Sequence, residues 1–250
     1  SDFLEEENHS NVMQDFMATP SGFSMALNSV YANVRSTYSA EEGIHGLMNP
    51  GTDELKNNIG GSNRCADLAN YDLEKYNANN EYPRKLWNDA YIHINTLNYM
   101  IENAAKVDVT TTALTAAQRD QYLGEAYFMR AFHYSRLMLI HGGLPLYDEN
   151  LPISEYNKPR ATHAETYEFI ERDLKKAAEL LPLSWPEADL GKPTKASAWG
   201  LLCRFYLYEE KYQEVVNTAN KIFEHKDLYS LMDNYGCLLY TSPSPRDRQK

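Results

Sequence analysis

The sequence predicts an all-α fold of tetratricopeptide-like helical hairpins joined by long irregular loops. The main observation is the segment 122–147, YLGEAYFMRAFHYSRLMLIHGGLPLY, which is apolar on nearly all sides. This pattern is typical of a helix buried among other helices. The second observation is that apolar residues recur three or four positions apart in several further segments. The third is the segment 195–224, in which two helical patterns are separated by a short turn, as in a tetratricopeptide unit.

The first predicted helix follows a polar, extended lead-in at residues 1–18. It begins at Thr19 and Pro20, because Thr suits the N-cap position and Pro the first helical position. Its apolar stripe consists of Phe23, Leu27, Val30, Val34 and Tyr38. Residues 41–83 lose the helical period and are rich in Gly, Asn, Asp and Tyr, which predicts a long loop region.

A second pair of helices is predicted over 86–104 and 116–140, with a break at 107–115. The Gly pair at 142–143 ends the second of them, and Pro145 prevents it from restarting. Neither helix can bury its apolar face alone, so we expect them to form a hairpin.

The next helix follows an irregular segment at 144–161. Thr162 and Glu165 have the capping-box spacing S/T-x-x-E just before an apolar stripe. That stripe consists of Tyr167, Ile170, Leu174, Ala177 and Leu181. Pro182 ends the helix, and Thr194 begins the first helix of the 195–224 hairpin. In that hairpin Glu209 and Glu210 form the turn, and the second helix carries the apolar residues Tyr212, Val215, Val216, Ala219, Ile222 and Phe223.

Composition excludes several classes of protein. The net charge of −11 disfavours binding to nucleic acid, whose phosphates an acidic surface repels. No apolar run approaches the roughly 18–20 residues that span a bilayer. No charged segment followed by an apolar one opens the chain, so we expect any signal peptide to have been removed. Cys65, Cys203 and Cys237 are too far apart in sequence to indicate a disulfide framework or a zinc site. We predict no cofactor, and we expect Cys203 to be a small buried apolar residue.

The chain has none of the motifs GxSxG, HExxH, GxxxxGK[ST] and GxGxxG, and no pair of carboxylates stands out, so we predict a protein that is not an enzyme. We expect structural roles for the charged and polar residues inside the long helix. Arg130 must be paired, since an unpaired buried charge is very costly. His133 is expected to be a hydrogen-bonded core residue. His141 is expected to interact with the last carbonyls of its helix.

The loop at 71–82 is the candidate ligand-binding site. It interleaves three tyrosines with three asparagines: Tyr71, Tyr76, Asn77, Asn79, Asn80 and Tyr82. Aromatic faces stack on the C–H surfaces of sugars, and amides form hydrogen bonds with sugar hydroxyls. The alternative is that the tyrosines pack the loop onto the helices while the asparagines form turns.

The C-terminal residues 237–250, CLLYTSPSPRDRQK, differ in character from the rest of the chain. They resemble a translated sequencing-adapter tail, so we interpret them as non-native and assign residues 1–236 to one incomplete domain. A disordered native C-terminus is the alternative.

Several motifs, in order, resemble the SusD/RagB family of nutrient-uptake lipoproteins. They include LNSVY at 27–31, GTDE at 51–54 and the block GEAYFMRAFHYSRLMLIHGGLPL at 124–146. The helix with Trp87, Tyr91, Ile94 and Asn98, the segment 160–182 and the 195–224 hairpin extend the resemblance over roughly residues 3–235.

The resemblance implies a surface lipoprotein of the outer membrane with a lipid anchor upstream of Ser1. It would bind an oligosaccharide or another nutrient without catalysis and deliver it to a SusC-like TonB-dependent transporter. The family also continues into a second half, which usually completes the ligand site. Two alternatives remain open: a tetratricopeptide-type scaffold that binds proteins, and a glycan-cleaving enzyme.

Overall fold

The structure is a computed structural model that describes residues 19–39, 81–107, 109, 115–149 and 151–231. Within these ranges the secondary structure is entirely helical, which confirms the predicted class. The α-helices are α1 (Pro20–Ser39), α2 (Glu81–Lys106), α3 (Ala116–His141), α4 (His163–Leu180), α5 (Lys195–Tyr208) and α6 (Tyr212–Phe223). Among the described helices, none is long and apolar enough to cross a membrane. The lead-in at 1–18 and the tail at 237–250 lie outside the described residues, so the predictions made for them stay predictions.

The first two helices begin close to where the sequence places them. At the start of α1, the Gly22 N–H donates a 3.1 Å hydrogen bond to the Thr19 hydroxyl, as the N-cap prediction requires. Helix α2 already begins at Glu81, so the predicted loop at 41–83 extends slightly too far. The prediction treats Pro83 as a loop residue. Proline is nevertheless compatible with the first turn of a helix, where its missing N–H would have no partner within the helix.

Helix α3 is the centre of the first part of the chain and packs against α1, α2 and α4. It runs antiparallel to α2, because Trp87 near the start of α2 contacts His141 at the end of α3, while Asn98 further along contacts Arg130. This arrangement confirms the predicted hairpin. At the start of α3, Thr115 and Gln118 form a capping box that the sequence analysis missed.

The core forms where the predicted stripes meet. Phe23 and Val30 of α1 are fully buried with Leu97 of α2 and Met129 of α3. On α4 the predicted stripe is also buried, and Ile170 and Leu174 have no exposed surface. Burying each of these aliphatic side chains contributes about 1.5–3 kcal/mol.

The end of α3 depends on two glycines. Gly142 has a φ of 73°, and its N–H bonds the Met138 carbonyl at 2.9 Å. A Cβ atom on Gly143 would lie 2.1 Å from the carbonyl oxygen of Ala161. These two requirements explain why the chain turns here through a Gly pair.

The expectation for His141 is wrong. Its ring packs edge-on against Trp87, with the ring centres 5.0 Å apart, and its Nε2 atom has no hydrogen-bond partner among the described residues, so it does not bond the last carbonyls of α3. Arg160 binds those carbonyls instead, donating to His141 O at 2.7 Å and to Gly143 O at 3.0 Å. The cation that caps the helix therefore comes from a distant part of the sequence, where helix-end signals could not reveal it.

The predicted capping box of α4 is confirmed. The Glu165 N–H donates to the Thr162 hydroxyl at 3.2 Å, and the Thr162 N–H donates to the Glu165 carboxylate at 2.8 Å. The helix ends at Leu180, before Pro182.

Arg130 forms the buried pair that the sequence analysis expected. Its guanidinium makes two hydrogen bonds to Asp173 of α4, at 2.6 and 2.9 Å, and one to the Asn98 side chain at 2.8 Å. His133 is buried, as predicted, but its Nε2 atom has no hydrogen-bond partner within the described ranges. Its ring lies parallel to that of His93, with the ring centres 5.9 Å apart. The core position of His133 is confirmed and its predicted hydrogen bond is not found.

The described residues after Ala198 belong to a second compact unit, which contains most of α5 and all of α6. The two helices are joined through residues 209–211, one residue more than predicted, and the Lys211 N–H bonds the Tyr206 carbonyl at 2.8 Å. One further expectation is wrong here. Cys203 is only partly buried, with its thiol 3.7 Å from the Val215 carbonyl. On α6 the apolar residues Tyr212, Val216 and Phe223 are each more than half exposed.

Candidate ligand-binding site

A cavity of about 400 Å³ opens beside the first turns of α2. One wall comes from α2 and the other from the irregular segment between α3 and α4. The lining residues are Trp87, Asn88, Tyr91, Ile92, Pro145, Tyr147, Tyr156 and Lys158. Its volume is within the range of small-molecule sites, and four of the eight side chains are aromatic.

Helical spacing creates the α2 wall. Trp87 and Tyr91 lie one turn apart, so their rings meet with centres 4.9 Å apart. The Trp87 ring is half-buried, whereas Tyr91 is 7% exposed and forms the floor of the cavity. Asn88, next to Trp87, is exposed, and its amide makes no hydrogen bond to any described residue.

The opposite wall is a stacked pair of tyrosines. The rings of Tyr147 and Tyr156 are 4.0 Å apart and almost parallel, with an angle of 6° between them. Both rings meet Tyr91 edge-on, at 6.0 and 6.2 Å respectively. Tyr156 is half-buried and Tyr147 is 2% exposed, so Tyr156 presents the accessible ring.

Hydrogen bonds hold this wall against the helices. The Tyr91 hydroxyl donates to the Pro145 carbonyl at 2.8 Å, and the Tyr147 N–H donates to the Tyr134 hydroxyl of α3 at 2.8 Å. The Tyr147 hydroxyl accepts a 2.9 Å bond from the Lys158 N–H. The cavity is therefore fixed before any ligand arrives, which lowers the entropic cost of binding.

Two cations lie over the aromatic walls. The Lys158 ammonium is 5.1 Å from the Tyr147 ring centre, and the Arg160 guanidinium is 5.1 Å from the Trp87 ring centre. No carboxylate is among the described residues that line the cavity. Burial raises the pKa of Tyr156 to about 12, with a smaller contribution from Tyr147, so this phenol is neutral at physiological pH.

The lining does not have the composition of a hydrolytic or metal site. Glycoside hydrolysis needs two carboxylates across a cleft, whereas the buried carboxylates Glu125 and Asp173 lie outside this cavity. Within the described residues, no group of three or more His, Cys, Asp or Glu side chains could hold a metal ion. The arrangement suits binding through ring stacking and a few hydrogen bonds.

The structure does not describe the side chains of the six site residues proposed from the sequence. Tyr71, Tyr76, Asn77, Asn79 and Asn80 lie outside the described residues. Tyr82 belongs to the first turn of α2, and its side chain is likewise outside them.

No sequence pattern predicted the cavity. Trp87 and Tyr91 follow the helical period of α2, and the irregular segment at 144–161 contains no recognised motif. The available signal was two tyrosines, Tyr147 and Tyr156, within that proline-containing segment.

Comparison with known proteins identifies the family. The SusD-like family, described as "Starch-binding associating with outer membrane", matches residues 2–207. SusD-like protein P25 of Formosa agariphila is 25% identical over 241 residues, covering 94% of this chain and 45% of the relative. SusD-like protein P2 of the same organism is 25% identical over 234 residues, covering 90% and 44%. The chain thus spans less than half the length of these relatives.

Solved structures show the same fold. A SusD-like protein from Bacteroides fragilis has a TM-score of 0.70 at 25% identity, covering 87% of this chain and 40% of that chain. A laminarin-binding SusD-like protein has a TM-score of 0.72 at 24% identity, covering 91% and 49%. Surface glycan-binding protein A from Bacteroides uniformis has a TM-score of 0.71 at 23% identity, covering 86% and 48%. The helical fold and the family match along most of the sequence agree, and the chain belongs to the SusD-like family.

Proposed function

We propose that the protein binds an oligosaccharide at the outer-membrane surface and delivers it, uncleaved, to a SusC-like TonB-dependent transporter. The aromatic cavity beside α2 is the observation that carries this proposal. Family membership supports it, and so do the glycan-binding descriptions of the laminarin-binding and Bacteroides uniformis proteins.

Each part of the cavity has a role in this proposal. The accessible rings of Trp87 and Tyr156 stack on the C–H faces of a sugar, while Tyr91 and Tyr147 hold these two rings in place. The free amide of Asn88 forms hydrogen bonds with sugar hydroxyls. An open, mostly aromatic surface gives modest affinity, which suits transfer to a transporter.

The loop at 71–82 borders the same site in this proposal. It leads directly into α2, and Tyr82 precedes Trp87 by less than two turns of that helix, or about 8 Å along its axis. The tyrosines and asparagines of the loop would then extend the contacts made by the cavity to a longer oligosaccharide. A lipid anchor upstream of Ser1 would hold the protein at the membrane.

A binding panel tests the proposal. Calorimetric titration of the intact protein with oligosaccharides and peptides should show binding to at least one oligosaccharide and none to the peptides. Removing the ring in Tyr156→Ala should weaken the binding about tenfold, because it removes a stacking contact. Tyr156→Phe is the matched control: it keeps the ring, and the Tyr156 hydroxyl has no hydrogen-bond partner among the described residues, so affinity should be retained.

Other outcomes would favour the rival functions. Binding of peptides without oligosaccharides would support a tetratricopeptide-type scaffold. Release of shorter products from a bound oligosaccharide would show an enzyme. Equal affinity in the Ala and Phe variants, with unchanged melting temperatures, would show that the cavity is not the site.

A further inference from the structure

We propose that the cavity selects a sugar that carries an anionic group, a carboxylate or a sulfate, and that this group pairs with the Lys158 ammonium. The inference rests on the proposed glycan binding and names the class of glycan. It follows from where the charges lie around the cavity.

Lys158 is held at the cavity by its own backbone. Its N–H donates to the Tyr147 hydroxyl at 2.9 Å, and its ammonium lies 5.1 Å from the Tyr147 ring centre. Among the described residues that line the cavity, it is the one with a basic side chain. A sugar stacked on Tyr156, which lies against Tyr147, would therefore have this ammonium beside it.

No described carboxylate neutralises Lys158. Other lysines of the same unit have acidic partners: Lys85 lies 2.6 Å from Asp89, and Lys175 lies 2.7 Å from Glu171. Near the cavity, Asp148 follows Tyr147 in the chain, but it lies 3.6 Å from Arg172. The ammonium of Lys158 thus remains available to an anionic ligand.

Arg160 adds a second positive charge. It cannot turn toward a ligand without losing its bonds to the carbonyls of His141 and Gly143, at 2.7 and 3.0 Å. Its guanidinium nevertheless lies 5.1 Å from the Trp87 ring centre, so its field reaches the cavity. Aromatic walls have a lower dielectric constant than water and therefore strengthen such fields. The basic residues Lys158 and Arg160 at the cavity contrast with the net charge of −11 of the whole chain.

The experiment compares oligosaccharides of equal length that differ in charge: one neutral, one containing uronate units and one sulfated. They are titrated into the intact protein and into Lys158→Gln, Lys158→Arg and Lys176→Gln. The last variant removes a charge from an exposed pair with Glu179, outside the cavity, and controls for net charge.

The expected result is about fivefold tighter binding of an acidic oligosaccharide than of the neutral one. Lys158→Gln should abolish this preference, so that neutral and acidic oligosaccharides bind with equal affinity, whereas Lys158→Arg and Lys176→Gln should keep it. The preference should shrink at about 1 M salt, because ions screen an exposed pair. The comparison of uronate with sulfate tells which anionic group the site takes.

Two results would overturn the inference, and they are distinguishable. Equal affinity for neutral and acidic oligosaccharides, unaffected by Lys158→Gln, would exclude the charge preference and leave glycan binding intact. Failure of every oligosaccharide to bind would overturn both the preference and the proposed function.

Discussion

The buried charged residues of α3, Arg130 and Glu125, bond to side chains of neighbouring helices, although the Oε1 atom of Glu125 has no hydrogen-bond partner among the described residues. Arg130 is paired with Asp173 and Asn98. Glu125 is 1% exposed and accepts a 2.6 Å hydrogen bond from the Tyr31 hydroxyl. Burial raises the pKa of this carboxyl, against the opposing effects of the Tyr31 bond and of the Lys192 ammonium 4.0 Å away. These groups fix how the helices pack, since each is stable only with its partner in place.

His133 should make the protein sensitive to acid. Burial lowers the pKa of His133 to about 3, with a further contribution from His93, whereas the unfolded value is about 6.5. Between these two pKa values the histidine is protonated in the unfolded state but not in the folded state. The free energy of unfolding therefore falls as the pH drops below about 6.5. This residue should account for a loss of about 2 kcal/mol between pH 7 and pH 5.

Chemical denaturation of His133→Phe across this pH range measures the effect. The variant keeps a ring against His93 but cannot be protonated, so its stability should fall less between pH 7 and pH 5 than that of the parent protein. His163→Gln, which changes an exposed histidine at the start of α4, should retain the parent slope. Equal slopes for the parent and His133→Phe would show that His133 does not carry the effect.

At the scale of elements, α3 and the end of α4 approach each other at a glycine. A Cβ atom on Gly124 would lie 3.0 Å from the Leu181 backbone nitrogen and 3.0 Å from its Cγ. The glycine thus permits the close approach that brings Arg130 to Asp173. Its place in the predicted buried helix was evident from sequence, but the neighbour that requires it was not.

Two helical glycines offer a matched pair of variants. Gly124→Ala should destabilise the protein by about 1–2 kcal/mol, because the added methyl group presses on backbone that cannot move freely. Gly200→Ala should instead stabilise it by about 0.5–1 kcal/mol, because nothing lies within 4 Å of the new Cβ atom and alanine favours the helix. Thermal unfolding compares them. Stabilisation by both substitutions would contradict the close packing at Gly124.

At the scale of the whole molecule, the helical scaffold positions one aromatic cavity, in the part of the chain that the structure describes, on a strongly acidic protein. The chain spans less than half the length of its Formosa relatives. Ligand contacts beyond the cavity are therefore part of the proposed function. The proposed membrane anchor and transporter also concern the whole protein.

Cell fractionation tests the whole-molecule proposal. In its native cells the protein should accompany the outer membrane and be cleaved by protease added to intact cells. Affinity purification after mild detergent extraction should recover a TonB-dependent transporter, and replacing the residue that carries the proposed lipid anchor upstream of Ser1 should release the protein from the membrane. Recovery in the soluble fraction, without any transporter, would contradict the proposal.

The sequence by itself determined the helices and the family. Apolar residues three and four positions apart define the buried faces of α1 to α4, and local signals such as Thr19, Thr162 and the Gly pair at 142–143 define helix ends. These features depend on near neighbours in the chain, so a sequence pattern reveals them. The prediction for the end of α3 was wrong for the same reason: Arg160, which caps this helix, lies well beyond it in the chain.

Only the tertiary structure decided where the cavity lies. Its walls meet because Tyr91 bonds the carbonyl of Pro145, which is 54 positions later, and because Tyr134 holds Tyr147 in place. No local period encodes such a contact between a helix and an irregular segment. The ligand-binding role of the loop at 71–82, selected for its tyrosines and asparagines, stays a prediction. The position of the Lys158 ammonium beside the Tyr147 ring is likewise a feature of the tertiary structure. Helical periodicity thus predicted the scaffold, while long-range packing decided which side chains a ligand can meet.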